Sequence, residues 1–393
     1  MDLPELKLKR REDRRLRAGH LWVYSNDVDT AATPLKTMRP GAIVRLVSSQ
    51  DRFIGYAGVS PNQLICARIL SRDPENIPGP AFFVRRLEQA LELREALYPG
   101  GYYRLVFGEG DGVPGLVADR YGDVVVLQAG TAAMEAMKDD VVQAVVQVLQ
   151  PAGVLWRNDG GARRLEGLPE YVEVAHGSVP DEVPLTEQGV AFSAPVRTGQ
   201  KTGWFFDQRD NRNRLSRYPV KRILDVFCYT GAWGLTAAAR GARASFVDSS
   251  APALASVEAA AARNGLAAET HRGGAMDVLG ALNADGQRFD AVVLDPPAFI
   301  KRRKDHAKGL AAYQRLNQAG LELLEPGGLL VSCSCSFHLA ADELIAAIAR
   351  AAGRAGRFVQ VLETGGQSAD HPGHPAIPET RYLKAVFCRV LPA

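Results

Sequence analysis

The sequence contains little cysteine, no long apolar run and no large excess of charge of one sign. Its five cysteines are too few and too unevenly spaced for a disulfide scaffold or a four-thiolate zinc site, so we expect reduced thiols and no bound metal. No stretch reaches the roughly 18 uninterrupted apolar residues of a membrane span, and the N-terminus lacks the apolar core of a secretory signal. These absences predict a cytoplasmic protein with no membrane partner.

Basic and acidic residues nearly balance, because 47 Lys and Arg stand against 44 Asp and Glu, which gives a net charge of +3. That excess is too small to indicate a nucleic-acid partner by itself. The distribution is uneven, however, and seven basic residues lie between Lys7 and Arg17. This cluster could contact phosphates.

The 393 residues, 46% of them apolar, predict a globular protein of two or three domains. Residues 1–75 alternate short apolar runs with turn residues, which is typical of a small β domain. Residues 76–193 predict an α+β region, with a helix over Pro80 to Tyr98, an antiparallel hairpin region and a helix from Met134 to Leu149. Within residues 194–393, strand and helix patterns alternate from Lys221 onward, which predicts an α/β domain with a parallel sheet and helices on both of its faces. A final pair of strands separated by a polar loop predicts an antiparallel hairpin at one edge of that sheet.

The first strand-to-helix turn of this sheet runs from Asp225 to Gly234 and is where a nucleotide-like ligand should lie. It is not a GxGxxG sequence, which disfavours a dinucleotide. A carboxylate at the strand end, followed by a turn with a single close-approach glycine, instead suits a cationic, phosphate-free adenosine ligand such as S-adenosylmethionine. The next strand ends in Asp248, which could accept hydrogen bonds from both ribose hydroxyls. In the alternative interpretation, these two acids are helix caps.

Two later strand ends carry further candidate groups. The fourth strand leads to Asp295, two prolines and Phe299, a loop whose acid and aromatic ring could face a ligand crevice. The fifth strand ends with Cys333, Cys335 and His338. A thiolate near a methyl donor suggests methylation of cytosine at carbon 5, because adding a thiolate to carbon 6 activates that otherwise poor nucleophile. Buried core cysteines, or a metal site formed by these last three residues, are the alternatives.

The chain resembles the bacterial class I methyltransferases that make 5-methylcytosine in large-subunit ribosomal RNA, the RlmI-like group. The resemblance covers nearly the whole length and is carried by ordered stretches: RxLRAGHLWVYS, RLVFGEGDGVPGLVADRYGD, TGWFFDQRDNR, LDVFCYTGAWG, LDPPAF, SCSCS and DHPGHPAIPETRYLKAVFCRV. It implies an N-terminal PUA-like RNA-binding domain (residues 1–75), a middle domain that frames an RNA cleft (76–193) and a Rossmann-like methyltransferase domain (194–393). It also implies a homodimer that acts on large-subunit ribosomal RNA. The cluster of Arg14, Arg15 and Arg17 is then expected to belong to an RNA-binding face.

The resemblance also implies roles for individual residues. Cys335 is the expected nucleophile and Asp295 the expected partner of the target base, although Cys333 is a second thiol that could take the first role. The expected cofactor-binding residues are Phe206, Asp207, Arg209, Asp225, Phe227, Tyr229, Thr230, Gly231, Asp248, Ser249, Asp277 and Asp295.

Two other functions fit parts of the sequence. Acid-Pro-Pro-aromatic loops also serve enzymes that methylate exocyclic amines or guanine N7, and these need no thiol. A ribosome assembly factor without catalytic activity could retain the same fold, but it would have no reason to keep Asp225, Asp248 and Asp295.

Overall fold

The computed structural model describes residues 3–393, the side chain of residue 162 excepted, and divides into two compact units. The first unit comprises Met1–Val183, Ala194–Phe206 and Ala369–Thr380. The second comprises Pro184–Ser193, Asp207–Ser368 and Arg381–Ala393. Each unit is therefore assembled from three separate stretches of the chain.

The N-terminal part of the first unit is a five-stranded sheet with the order β1-β3-β4-β5-β2. Its strands are β1 (Glu5–Lys7), β2 (Trp22–Tyr24), β3 (Ile43–Val47), β4 (Phe53–Val59) and β5 (Ile65–Ser71). Apolar side chains of these strands form a core, and this core includes Ile377 from the third stretch of the unit. The C-terminal region of the chain thus completes the core of an N-terminal sheet.

The short helix α1 (Asp13–Arg17) carries part of the basic cluster. Arg15 forms an ion pair with Asp27 at 2.8 Å, and Arg17 forms one with Asp13 at 2.7 Å. Arg14 is exposed and has no ion pair within residues 3–393. The three arginines expected to act together therefore differ, because two of them already have acidic partners.

The second sheet of the first unit has the order β10-β9-β8-β7-β6. Its strands are β6 (Tyr102–Phe107), β7 (Leu116–Tyr121), β8 (Val124–Ala129), β9 (Gly153–Asn158) and β10 (Tyr171–Gly177), and its helices are α2 (Pro80–Leu97), α3 (Ala132–Ala136), α4 (Lys138–Leu149) and α5 (Gly161–Glu166). The predicted antiparallel hairpin region is present as β6, β7 and β8.

The single helix predicted from Met134 to Leu149 is wrong, because two helices occupy this segment. The Thr131 side chain accepts a hydrogen bond from the Met134 amide and starts α3 before the predicted position. Asp139 and Asp140 then lie in the first turn of α4, where acidic side chains favour a helix start.

Two buried arginines tie the third stretch of the first unit to the second sheet. Arg94 donates to the Asp370 carbonyl at 2.9 Å and pairs with Asp111 through two 2.7 Å bonds. The Arg104 amide donates to the Asp370 carboxylate at 3.0 Å. The segment Ala369–Thr380 is therefore bonded to this sheet as well as packed in the N-terminal core.

The second unit is built on a seven-stranded sheet with the order β15-β14-β13-β16-β17-β19-β18. Its strands are β13 (Arg222–Val226), β14 (Arg243–Asp248), β15 (Glu269–Arg272), β16 (Phe289–Leu294), β17 (Leu324–Ser334), β18 (Arg357–Gly365) and β19 (Lys384–Pro392). The strands from β13 to β17 are parallel to their neighbours, while β19 is antiparallel to β17 and to β18. The predicted parallel sheet with an antiparallel hairpin at its edge is confirmed.

Six helices accompany this sheet, and a small two-stranded sheet precedes it. They are α6 (Arg209–Leu215), α7 (Ala232–Ala238), α8 (Ala251–Arg263), α9 (Ala275–Ala284), α10 (His306–Glu322) and α11 (Ala341–Arg354), with β11 (Val183–Glu187) and β12 (Val190–Ala194) forming the small sheet. The strand order reverses between β13 and β16, and ligands of open α/β sheets bind at that reversal, beyond the carboxyl ends of the strands. Among residues 3–393, no helix combines the length and apolar character needed to cross a membrane.

Candidate functional site

The loop that follows β13 begins with a buried carboxylate. Asp225 is fully buried, and its Oδ2 accepts a hydrogen bond from the Gly234 amide at 2.9 Å. Its Oδ1 is buried without a partner in the part of the chain that the structure describes. Burial is the main cause that raises the pKa of Asp225 to about 7, and the charge of Asp295 adds to it. One oxygen thus caps the first turn of α7, as the capping interpretation expects, and the other keeps its capacity to accept a hydrogen bond.

The same loop contains three residues with left-handed backbone. Phe227, Tyr229 and Gly231 have φ values of 63°, 50° and 78°. For the two aromatic residues this conformation costs about 1–3 kcal/mol each, and such strain concentrates at functional sites. A side chain at Gly231 would also lie 2.9 Å from Val257 Cγ2. Thr230, between them, is buried. The loop is therefore held in one unusual shape beside the sheet.

Asp248, at the end of β14, joins this loop to the next one. Its Oδ2 accepts from the Tyr229 amide at 3.0 Å, and its Oδ1 accepts from the Ser250 amide at 2.9 Å. Ser249, which lies between Asp248 and Ser250, is exposed. Each carboxylate oxygen can accept more than one hydrogen bond, so Asp248 keeps acceptor capacity for ligand hydroxyls.

Asp295 follows β16 and is held at both oxygens. Oδ1 accepts from Gln208 Nε2 at 2.9 Å, and Oδ2 accepts from Trp233 Nε1 at 3.3 Å. Burial is the main cause that raises its pKa to about 6, and the nearby charge of Asp207 contributes next. Asp207 itself accepts a 2.5 Å hydrogen bond from the Tyr382 hydroxyl. The carboxyl group of Asp295 is thus oriented by neutral donors and lies close to a second acid.

The two thiols of β17 and its following loop differ in exposure. Cys333 lies within β17, is fully buried and is paired in register with Ala385 of β19. Burial raises the pKa of the Cys333 thiol well above its usual range. Cys335 lies just beyond the strand and is half-buried, with its Sγ 3.9 Å from the carbonyl oxygen of Pro296. Only the second thiol combines partial exposure with a position beside the Asp295 loop.

The backbone on either side of Cys335 is fixed by one tyrosine. Ser334 Oγ donates to the Tyr313 hydroxyl at 2.8 Å, and that hydroxyl lies 3.0 Å from Ser336 Oγ. Ser336 Oγ also accepts from the Ile300 amide at 3.1 Å, which links this loop to the loop after β16. Tyr313 therefore holds both neighbours of Cys335.

A half-buried lysine lies next to the Cys335 loop. Lys384 Nζ donates to the carbonyl oxygens of Ser336 and Tyr382 at 2.5 and 2.7 Å. Burial lowers its pKa to about 8, while a negative charge at Cys335 would raise it. The ammonium is thus held beside the residue that follows Cys335.

Four of these contacts were not predicted from the sequence, namely those of Gln208, Trp233, Tyr313 and Lys384. Gln208, Trp233 and Lys384 lie inside stretches that carry the family resemblance, and that location was the sequence signal that could have indicated them. Tyr313 lies in the middle of a long helix, where an aromatic residue is typical of the core, and nothing in the sequence distinguished it.

Three further predicted cofactor-binding residues, Phe206, Arg209 and Asp277, lie outside the loops that follow β13, β14 and β16. Asp277 is exposed in the first turn of α9. Arg209 lies 3.6 Å from the carboxylate of Glu187. Phe206 is buried in the first unit, with its ring 5.3 Å from that of Tyr121. Among residues 3–393 no group of three or more His, Cys, Asp and Glu side chains could hold a metal.

Comparison with known proteins finds a family match for two regions of the chain. Residues 6–72 match a family model described as a PUA-like domain, and residues 170–389 match one described as an S-adenosylmethionine-dependent methyltransferase. Proteins named ribosomal RNA large subunit methyltransferase I from Klebsiella pneumoniae (strain 342) and from Vibrio cholerae (strain O395) are 34% and 35% identical to the chain. They align over 99% of the chain and over 98% and 100% of their own lengths.

Solved structures agree on the fold. A Streptococcus mutans protein described as a candidate SAM-dependent methyltransferase superposes with a TM-score of 0.81 at 21% identity, over 98% of this chain and all of its own. A second candidate methyltransferase, SMU.776, complexed with SAH, superposes with a TM-score of 0.83 at the same identity and coverage. The predicted fold class, an α/β Rossmann-like methyltransferase domain with a β-rich PUA-like domain and an α+β region before it, is confirmed.

The residues present fit the cofactor of that family. The unpaired, buried Oδ1 of Asp225 is an acceptor that suits the ammonium group of S-adenosylmethionine. The predicted cofactor, S-adenosylmethionine, is also confirmed by the family match. The chain therefore belongs to the S-adenosylmethionine-dependent methyltransferases, and it carries a PUA-like domain at its N-terminus.

Proposed function

We propose that the chain methylates carbon 5 of a cytosine in large-subunit ribosomal RNA, with Cys335 as the nucleophile and Asp295 as the partner of the base. The substrate class rests on the names of relatives that align over the full length. The chemistry rests chiefly on one observation, the half-buried Cys335 thiol beside the loop that carries Asp295. A homodimer, a cytoplasmic location and domain boundaries near residues 75 and 193 remain predictions.

The role of Cys335 follows from the electron demand of the base. Its thiolate would form a bond to carbon 6, and the electron pair of the carbon 5–carbon 6 double bond would make carbon 5 a nucleophile. S-adenosylmethionine supplies an electrophilic methyl group when bound. Loss of the proton from carbon 5 to a base would then restore the double bond and expel the Cys335 thiolate.

Lys384 supports this role because its ammonium donates to the carbonyl oxygen of Ser336, the residue that follows Cys335. A thiolate is the reactive form, and an adjacent cation stabilises it. Tyr313 would keep the loop in place through Ser334 and Ser336. Cys333 has neither advantage, since it is fully buried within β17.

Asp295 would act on the opposite edge of the base. Its oxygens are oriented by Gln208 and Trp233. With a pKa raised to about 6, the carboxyl group can share a proton with ring nitrogen 3 or accept from the exocyclic amine near neutral pH. Either contact would draw electrons from the ring and ease attack at carbon 6.

The cofactor roles are proposals of the same standing. Asp225 would bind the methionine ammonium, together with the loop of Phe227, Tyr229, Thr230 and Gly231. Asp248 and Ser249 would contact the ribose, and Asp277 the adenine. Asp207 would lie near the cofactor because it is close to Asp295. Arg209 and Phe206 have the least support, because the contacts described above join Arg209 to Glu187 and Phe206 to Tyr121.

The nucleophile is tested by comparing Cys335→Ala with Cys333→Ala. We expect Cys335→Ala to abolish methylation and to leave S-adenosylmethionine binding intact in calorimetry, while Cys333→Ala keeps activity. The unaltered enzyme should form a covalent adduct with RNA that carries 5-fluorocytosine, since the fluorine blocks elimination. Activity lost only in Cys333→Ala would reverse the assignment. Full activity of the double variant would exclude covalent catalysis by either cysteine and would favour methylation of an exocyclic amine or of guanine N7. Mass mapping of ribosomal RNA from a deletion strain would then locate the modified nucleotide.

A further inference from the structure

The first unit contains a cavity of about 380 Å³. Its wall combines Trp22 and Arg68 of the N-terminal sheet with residues of β7, β8 and β9 and with Glu379 and Thr380 of the third stretch. The volume is within the range of pockets that hold small organic ligands. We call this space the Arg163 cavity, after a buried residue in its wall.

Arg163 is 2% exposed and lies in the wall of the cavity. Its Nε donates to the Pro169 carbonyl at 2.8 Å, and its Nη1 donates to the Ala129 carbonyl at 2.6 Å and pairs with Glu135 at 2.8 Å. Its Nη2 is buried and has no partner within residues 3–393. A buried guanidinium nitrogen without a partner is costly, and a ligand acceptor would remove that cost.

Asn158 lies in the same wall and is fully buried. Its Oδ1 accepts from the Ala129 amide at 2.8 Å, while its Nδ2 makes no hydrogen bond of normal geometry with the described residues. Burial raises the pKa of the Tyr171 hydroxyl, and an interaction with the Asn158 side chain opposes that rise, so Asn158 is a weaker second donor than Arg163. Together these two residues favour a ligand edge with two acceptors.

The rest of the wall is apolar, aromatic and charged. Arg68 and Arg157 also line it, but each already forms an ion pair, with Glu166 at 3.3 Å and with Asp159 at 2.9 Å. Phe107, Leu116 and Val117 contribute apolar surface, and Trp22 contributes an indole whose Nε1 already donates to Glu109 at 2.7 Å. Glu109 and Glu379 are the carboxylates of the wall. A phosphate has no hydrogen to donate to a carboxylate and would be repelled by both of them. A planar base with donors on one edge and acceptors on another meets all of these groups.

We propose that the Arg163 cavity binds a guanine base that has been unstacked from the substrate RNA; this rests on the proposed function, which supplies the RNA. Guanine presents O6 and N7 as acceptors, the pair that arginine most often recognises. Its N1–H and amino group are donors suited to a carboxylate. Proteins that read single-stranded RNA stack unstacked bases on aromatic side chains. The cavity would thus recognise a base other than the one that is methylated.

Gly160 provides a test with little risk to folding. It lines the cavity, its backbone is extended at φ −78° and ψ 144°, and a Cβ added to it would meet no atom within 4 Å. Gly160→Leu should therefore fill space without a clash. Gly161→Leu is the matched control, because the adjacent Gly161 also has open space around it but is exposed and does not line the cavity.

The measurement is binding of GMP, AMP, CMP and UMP to the full chain by calorimetry, without cofactor. We expect GMP to bind most tightly, and we expect Gly160→Leu to weaken GMP binding roughly tenfold or more while Gly161→Leu does not, since one or two hydrogen bonds to a charged group account for that factor. Thermal melting should show both variants folded.

Absence of GMP binding, equal binding of all four nucleotides, or equal effects of the two variants would overturn the proposal. The same samples are assayed for S-adenosylmethionine binding and for covalent capture by 5-fluorocytosine RNA. Failure of those assays counts against the proposed methylation and leaves the GMP result to be judged separately, because GMP binding needs neither cofactor nor Cys335.

Discussion

Two acids of the candidate site, Asp225 and Asp295, have charges that the fold disfavours. Asp225 is the clearest case, because burial raises its pKa from an ordinary 3.8 to about 7 and one of its oxygens has no partner among the described residues. An acid with a raised pKa in the folded state contributes stability at low pH, and that contribution is lost as pH rises from about 4 to about 7. The ligand-free fold therefore bears a cost at neutral pH that a bound cation would reduce.

Asp225→Asn should stabilise the ligand-free protein at pH 8 and weaken S-adenosylmethionine binding. The rise is about three pKa units, so at about 1.4 kcal/mol per unit the gain is roughly 4 kcal/mol, and it should disappear near pH 4. Denaturant unfolding at both pH values measures it, with the exposed Asp285→Asn as control. Equal stability of Asp225→Asn and the unaltered chain at pH 8 would mean that the carboxylate is not strained.

Asp248 is held by hydrogen bonds within the protein, whereas Asp277 is exposed, so substitutions of the two acids should differ in their effect on cofactor binding. Asp248 organises two loops through the Tyr229 and Ser250 amides, so Asp248→Ala should weaken S-adenosylmethionine binding by roughly 1.5–3 kcal/mol, the scale of hydrogen bonds to a charged group. Asp277 is exposed, so its contact with the adenine would remain partly in water, and Asp277→Ala should weaken binding by less, about 0.5–1.5 kcal/mol. Calorimetry on both variants decides the matter. Unchanged affinity in Asp248→Ala would remove this acid from the binding site.

At the scale of elements, one helix fixes the loop that carries the candidate nucleophile. Tyr313 of α10 reaches Ser334 and Ser336 on either side of Cys335. Tyr313→Phe removes the hydroxyl that joins them and should lower the rate of adduct formation with 5-fluorocytosine RNA while leaving S-adenosylmethionine affinity unchanged. The lost hydrogen bonds should also reduce the free energy of unfolding by about 1–3 kcal/mol.

The control for this variant is Tyr218→Phe, since the Tyr218 hydroxyl bonds Glu363 at 2.7 Å in the same unit. A rate as high in Tyr313→Phe as in that control would show that the tyrosine only stabilises the fold. A slowed rate in Tyr313→Phe alone would identify it as a positioning residue.

The sequence predicted elements better than contacts. Alternating strand and helix patterns determine a parallel sheet, and a polar loop between the last two strands predicted the hairpin of β18 and β19. Strand ends of such a sheet also converge, which predicted Asp225, Asp248 and Asp295 near one another in the fold. Lys384 and Gln208 could not be found in this way. The pairing of β19 with β17 decides that Lys384 lies beside the Cys335 loop, and the course of the chain before α6 decides that Gln208 contacts Asp295.

For the whole molecule, RNA affinity should depend on the arginines that have no acidic partner. Arg10 and Arg11, like Arg14, are exposed without an ion pair within residues 3–393, whereas Arg15 and Arg17 are paired. Replacing Arg10, Arg11 and Arg14 with Gln should weaken RNA binding and flatten its dependence on salt, with roughly 0.7–0.9 lost from the log–log slope for each phosphate contact.

The matched control is the same substitution at Arg243, Arg263 and Arg354, three exposed arginines of the second unit. Binding isotherms from low to moderate salt measure both slopes. Equal slopes for the two triple variants would assign the N-terminal cluster to ordinary surface charge.

The late position of Ile377 has a consequence for how the chain is made. The N-terminal sheet is complete only when this residue enters its core, and Asp370 must also reach Arg94 and Arg104. A ribosome adding about 5–20 residues per second needs roughly 10–40 s to pass from the end of the unit's first stretch, Val183, to Ile377. During that interval the nascent N-terminal region lacks part of its core, so its hydrophobic surface is open to chaperones and proteases until Ile377 has been made.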